Sequence, residues 1–317
     1  MSRPVIAAIG AVFVCAVGCS GDVIGGFESP ATPAITASPS PELPANVLAE
    51  IPIGGSPCAV AEAGGSVWIT AFDGNELDRI DPATNEVTDI YRMPTSPCGM
   101  TEVGGKLWVQ AQNAVVIFDP VRAREVDRIR GGYFAITPTP AGLWAVAAQD
   151  AVVQMDPRTG KVLASVKVPG PIGGLAVAPD GIWTTSARDQ LVRIDPRSRS
   201  IVQRIQVKDF EPEGLAVHDG VLWVSSSFGG EVLRIDAGSG RVKDRLPVAD
   251  SLFGGIVIGD DYWVADSDNN LYRLDGTTGQ IVDRFEQIGF GPYPADGNLW
   301  TVDFLAESAY RLDRPGS

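Results

Sequence analysis

Histidine is almost absent: the 317 residues contain one, His218. It lies in the turn His218-Asp219-Gly220, where comparable turns carry Pro-Asp-Gly or Ala-Asp-Gly. That makes it a turn residue and leaves no Ser/His/Asp or Cys/His constellation to propose. Cysteine is also scarce. Of four, Cys15 and Cys19 fall in the N-terminal segment, so Cys58 and Cys98 are what remains for the body of the chain. Two cysteines without a nearby histidine fall short of a zinc set. Basic residues are outnumbered, 25 against 39 acidic, for a formal charge of −14 and a pI near 4.5. Such a surface repels phosphate backbones and anionic headgroups, so neither nucleic acid nor direct adsorption to a membrane is expected. Long apolar runs are missing apart from Val5–Gly18, which is too short for a comfortable membrane span. Extended helical periodicity is missing too.

What is present is a repeat. Residues 213–246, EGLAVHDGVLWVSSSFGGEVLRIDAGSGRVKDRL, contain four alternating runs separated by Asp-Gly, Ser-Phe-Gly-Gly and Ala-Gly-Ser-Gly turns. Period-two runs broken in this way read as an antiparallel four-stranded meander. Each copy has one Trp in its second strand: Trp68, Trp108, Trp144, Trp183, Trp223, Trp263 and Trp300. Each also has an Asp closing its third strand, 11 to 13 residues later: Asp81, Asp119, Asp156, Asp195, Asp236, Asp275 and Asp313. A period near forty with four strands per unit predicts an all-β, seven-bladed β-propeller of antiparallel blades. The blades are expected at about 57–93, 98–130, 134–168, 173–207, 213–247, 253–286 and 290–313. The Trp residues are expected to wedge between blades. The closing Asp residues should shape turns, and Arg79, Arg193, Arg234, Arg273 and Arg311 should make ladder or inter-blade pairs.

The ends of the repeat do not match. Asn46–Ile53 (NVLAEIPI) reads as an orphan fourth strand, and the last copy stops after its third. Pairing the two closes the ring without an edge, which places residues near 50 beside residues near 310. Pro292 and Pro294 should make the first strand of the last blade short or irregular. Ahead of the propeller (46–317), residues 20–45 are a Pro/Ser/Thr-rich linker. Residues 1–19 resemble a bacterial lipoprotein signal peptide ending in the lipobox Ala16-Val17-Gly18-Cys19. The resemblance implies an exported protein anchored through lipidated Cys19 to the outer face of the cell membrane or in the envelope, touching the membrane by that anchor alone. In an exported chain, Cys58 and Cys98, each in a Ser-Pro-Cys triplet, form a candidate disulfide if their Cα atoms come within about 7 Å.

Variable loops on a regular scaffold are where binding sits. Here those are the loops between second and third strands and the links between blades. They supply Asp73, Arg188, Glu213, Phe253, Asp266, Phe290 and Asp303 as candidate ligand-binding residues. The mixture suits a polar organic ligand or a hard cation such as Ca²⁺ or Mg²⁺, or is simply a solvated polar face. No cofactor is required by any motif.

The repeat pattern Gly-hydrophobic-Ala-Val…Asp-Gly-hydrophobic-Trp…Arg-Ile-Asp…Gly resembles the virginiamycin B lyase (streptogramin lyase) propellers and the broader YVTN/NHL-type group, over about 46–313. Those lyases use His and Glu with Mg²⁺ to open a macrocyclic lactone by elimination. His218 sits in a regular turn, so no catalytic histidine carries over. Gluconolactonase-type propellers instead hold a metal with carboxylates and amides, a role for which Glu213, Asp266 and Asp303 are the candidates. The leading expectation is therefore a non-catalytic, monomeric, envelope-anchored propeller binding an envelope protein, a glycan or a small molecule. The alternative is a metal-dependent lyase or lactonase with an atypical site.

Overall fold

A computed structural model describes residues 43–44, 46–140, 142–148, 150–187 and 189–314. The signal peptide, Cys19, nearly all of the linker and Arg188 lie outside the described residues. The described chain is a ring of seven four-stranded antiparallel sheets. In blade 1 the strands are Pro57–Ala63, Ser66–Ala71, Glu76–Asp81 and Glu86–Arg92, paired in that order from the centre outwards. Each innermost strand touches the innermost strands of both neighbouring blades. In blade 7, Phe290–Ala295, Asn298–Asp303 and Ser308–Leu312 are completed on the outside by Val47–Pro52. Glu50 lies opposite Tyr310 and Ile51 opposite Ala309, so the N-terminal strand closes the ring as its orphan sequence predicts.

Burial follows from position in the blade. Second strands are sandwiched on both faces, and Ser66–Ala71 and Gly181–Ser186 are buried throughout. Outer strands face solvent, as in Arg124–Arg130. Seven apolar clusters form the core, each straddling two adjacent blades and each containing one of the seven Trp. All seven indoles are at most 2% exposed. Trp300, for example, packs on Val60, Val67, Ile69 and Ile80 of blade 1. Each Trp supplies a large apolar area to its interface, joined in some by further rings, as where Tyr262 stacks on Trp223 at 4.9 Å.

In five blades the repeated Arg lies directly across from the Trp and over its ring, from 5.0 Å for Arg234 on Trp223 to 5.9 Å for Arg311 on Trp300. Arg273 makes a ladder pair with Asp261 at 2.7 Å and Asp283 at 2.9 Å. Arg234 and Arg311 reach across to the next blade, to the Thr277 carbonyl at 2.7 Å and the Pro82 carbonyl at 2.6 Å. The closing Asp residues cap their turns: Asp156 Oδ1 accepts from the backbone N–H of Arg158 and Thr159 at 2.9 and 2.8 Å. The same contacts from Ser239, with Lys243 behind them, hold the Asp236 carboxyl down at about 2.

Two irregularities recur. Every outer strand has a bulge opposite the end of its third strand, leaving Leu48, Thr88, Val126, Leu163, Val202, Lys243 and Val282 without a partner. A bulge bends the edge and increases its twist, which blunts it against pairing with another chain. Five innermost strands also shift register. Blade 7 is one of them, with its break at Gly291 and Pro292, but four blades without that Pro pair break in the same place. The irregularity is therefore shared by five of the seven described inner strands and is not peculiar to blade 7.

Candidate functional site

The loop face is built by geometry common to all blades. The backbone N–H following each fourth strand donates to a carbonyl in the loop between second and third strands of the same blade. The seven bonds run from Met93 to Asn75, Gly131 to Asn113, Val168 to Asp150, Val207 to Asp189, Val248 to Gly230, Ile288 to Asn269 and Ile53 to Glu307, at 2.7 to 2.9 Å. Each loop is thus latched to the link that leads into the next blade. The inner strands of blades 1 and 5, which shift register, and the segment leading into that of blade 4, which does not, are latched as well. The N–H groups of Ala59, Gly173 and Gly214 donate to Thr70 Oγ1, Thr185 Oγ1 and Ser225 Oγ at 3.1, 2.6 and 3.0 Å. A hydroxyl two residues after the Trp of a buried strand thereby satisfies a donor where the ladder breaks or, in blade 4, has not yet begun. Ser225 continues to the Gly254 carbonyl of the next blade at 2.5 Å. Gly214 is demanded by this approach: a Cβ there would stand 1.7 Å from the Gly254 oxygen.

The candidate residues occupy three settings. Asp73 is exposed on the blade 1 loop and accepts from Ser56 Oγ at 2.8 Å. Asp266 and Asp303 are buried, 5% and 7% exposed. Asp266 Oδ1 accepts from the N–H of Asp268 and Asn270, and its Oδ2 from Asn270 Nδ2 and the Tyr272 hydroxyl, all at 2.8 to 2.9 Å. Asp303 Oδ1 accepts from the N–H of Leu305 and Ala306 at 3.0 and 2.9 Å, and Oδ2 from Asn269 at 3.0 Å. These carboxylates shape their loops, and the Asn269 bond joins the loops of blades 6 and 7. Glu213 stands in the shifted part of the blade 5 inner strand, Pro212–His218, where burial pushes its carboxyl up. Phe253 is half-buried at the corresponding point of blade 6. Phe290 packs into the two interfaces that flank blade 7. Among the described residues no three of His, Cys, Asp or Glu converge as a metal-binding group. Glu213, Asp266 and Asp303 therefore do not converge on one another.

Cys58 and Cys98 are joined, their Cα atoms 5.2 Å apart, which ties the inner strand of blade 1 to the link into blade 2. His218 Nε2 lies 3.2 Å from Asp260 Oδ1, between turns of blades 5 and 6 on the opposite face. A polar recess of about 360 Å³ on that face, walled by Asp260, Asp261, Arg273 and Asp275, holds charges already committed to one another or to the turn.

Five residues after each Trp, at the loop tips, the sequence carries Asp73, Asn113, Gln149, Arg188, Phe228, Asp268 and Leu305, and the candidates drawn from it include polar members of this set but neither Phe228 nor Leu305. Phe228 and Leu305 are each 76% exposed. They are held in place, Phe228 N–H by Ser226 Oγ at 3.2 Å and Leu305 N–H by Asp303. Beside Leu305, the rings of Phe304 and Phe72 touch across the seam of blades 7 and 1 at 5.7 Å. The available signal was a large apolar residue at a tip position whose counterparts are mostly polar.

No protein-family model matches the chain, and no curated protein matches it. Among solved structures it is similar to BamB from Moraxella catarrhalis, with a TM-score of 0.60 at 14% identity over 84% of this chain and 99% of that one. It is also similar to hydrazine synthase of Kuenenia stuttgartiensis, with a TM-score of 0.70 at 15% identity over 83% of this chain and 96% of that one. At these identities the likeness is one of fold, and the chain is a seven-bladed β-propeller.

Proposed function

We propose that this chain is a non-catalytic, monomeric binding propeller, exported and held in the cell envelope by lipidated Cys19, that presents its loop face to an envelope protein, a glycan or a small molecule. The observation that carries the reading is how the loop carboxylates are used. Every carboxylate oxygen of Asp266 and Asp303 accepts hydrogen bonds, from its own blade or, for Asp303 Oδ2, from the loop of blade 6. They rigidify a surface, and a rigid surface binds with less ordering cost. Kinship with the virginiamycin B lyase-like and YVTN/NHL-type repeats belongs to the same proposal and rests on scaffold motifs. Glu213, desolvated in the inner ring, is the residue that a lyase or lactonase reading would start from.

Photo-crosslinking amino acids placed at Asn113, Phe228, Asp268 and Leu305, with Val121 on the turn face as control, test the proposal in the cells that make the protein. Adducts of discrete mass from the tips, and none from Val121, are expected. Adducts from Val121 alone, or none from any tip, would count against it. So would a saturating rise in melting temperature with Ca²⁺ or Mg²⁺ accompanied by lactone turnover.

A further inference from the structure

Four residues after each Trp the chain carries Phe72, Gln112, Ala148, Ala187, Ser227, Ser267 and Phe304. Aromatic side chains thus occupy this position in two adjacent blades, 7 and 1, and there their rings meet at 5.7 Å. Next to them Leu305 is 76% exposed on a loop fixed by Asp303 and by the Ile53 latch. Both phenyl rings are half-buried, so they form the floor of an apolar patch and Leu305 its raised edge. The patch has an acidic border. Exposed acids share its loops: Asp73 follows Phe72, Glu307 lies two residues after Leu305, and Asp268 precedes Asn269, which bonds Asp303. Against them stands Arg92, 3.9 Å from Glu76.

From this arrangement we propose that the seam of blades 7 and 1 is a docking site for a polypeptide segment in which an apolar side chain is flanked by Lys or Arg. The inference rests on the binding-propeller reading and names its site and partner class. Charge complementarity selects the occupant. A chain of net charge −14 gains encounter rate and orientation from a cationic partner, while the apolar patch supplies the contact that holds it. Anionic lipid is disfavoured by the same acidic border.

The probe is a fluorescein-labelled peptide of alternating Lys and Leu, with a Glu/Leu peptide as control, titrated by anisotropy against the intact protein. Binding of the first alone is expected, weakened about tenfold by Leu305→Ser and unchanged by Phe228→Ser. Asp73→Asn combined with Glu307→Gln should flatten its salt dependence. Leu305 and the two carboxylates are exposed, so these variants keep the fold. Equal affinity for wild type and Leu305→Ser, no binding of the Lys/Leu peptide, or co-sedimentation of the lipid-free protein with anionic vesicles that Leu305→Ser abolishes would each overturn the assignment. Should the seam fail while cross-links persist at Asn113 or Phe228, the binding reading stands and its site lies elsewhere. Loss of cross-links at every tip ends both.

Discussion

Asp78 sits where a propeller of this pattern has no use for a charge. The equivalent third-strand positions hold Val116, Val153, Val192, Leu233, Tyr272 and Tyr310. Asp78 lies across from Ile69, which belongs to the cluster between blades 7 and 1, so its carboxyl enters that interface. It is 2% exposed and its Oδ1 has no hydrogen-bond partner. Burial, with Glu76 adding repulsion, raises its pKa from 3.8 to about 7. The sign follows. The unfolded chain releases this proton near 3.8, while the folded chain keeps it to about 7. Stability conferred by the neutral carboxyl is complete below the lower value and is lost as pH rises to the upper one. About three pH units at about 1.4 kcal/mol each give a loss on the order of 4 kcal/mol. Asp78→Asn removes the titration. Urea unfolding of both proteins, followed by the fluorescence of the seven buried Trp, should show the variant gaining about that much on wild type between pH ~4 and pH ~8. Asp78→Val should be the more stable protein at the upper end. A difference between Asp78→Asn and wild type that does not change with pH would refute the argument, because no uncompensated carboxyl would then be buried.

Reducing Cys58–Cys98, which spans 40 residues, should cost about 2–4 kcal/mol, and the oxidised domain should show no thiol reactive with a chromogenic disulfide. Deleting residues 46–53 should abolish the cooperative thermal transition, since it opens blade 7 and uncovers Ile51 and Ile53, whereas deleting residues 21–42 should leave the melting temperature unchanged. Asp303→Ala should lower stability by about 1–3 kcal/mol by orphaning the Leu305 and Ala306 N–H groups and Asn269, a loss readable in chemical denaturation.

The frame was legible because it is repetitive. Seven Trp in register announce seven interfaces, and the unmatched ends, Asn46–Ile53 and Arg311–Asp313, announce the closure. The bulges were hidden, since an extra residue in an outer strand alters neither its length noticeably nor its alternation. The site was harder still. A carboxylate in a loop looks the same in sequence whether it awaits a ligand or caps a turn, and only the donors around Asp266 and Asp303 distinguish the two. Phe290 reads as a rim residue yet packs between blades. The pairing of Phe72 with Phe304 depends on ring closure, which brings opposite ends of the chain together. Asp78 alone was fully exposed to inspection: Glu-Leu-Asp-Arg-Ile-Asp set against Glu-Val-Leu-Arg-Ile-Asp places an acid at an apolar position.

The closing strand has a direction. Asn46 begins it on the face of the regular turns, where its carbonyl accepts from Asp313 at 3.0 Å, and Ile53 leaves it on the loop face beside Glu307. A tether running back to Cys19 would pull from the turn side, turning the loops away from the membrane. A partner seized by those loops would pull the opposite way. The load between them would run lengthwise along Val47–Pro52, across its backbone bonds to Ser308–Leu312 together. Those strands would have to slide past one another rather than peel apart, so the seam that shuts the ring is also oriented to bear mechanical tension.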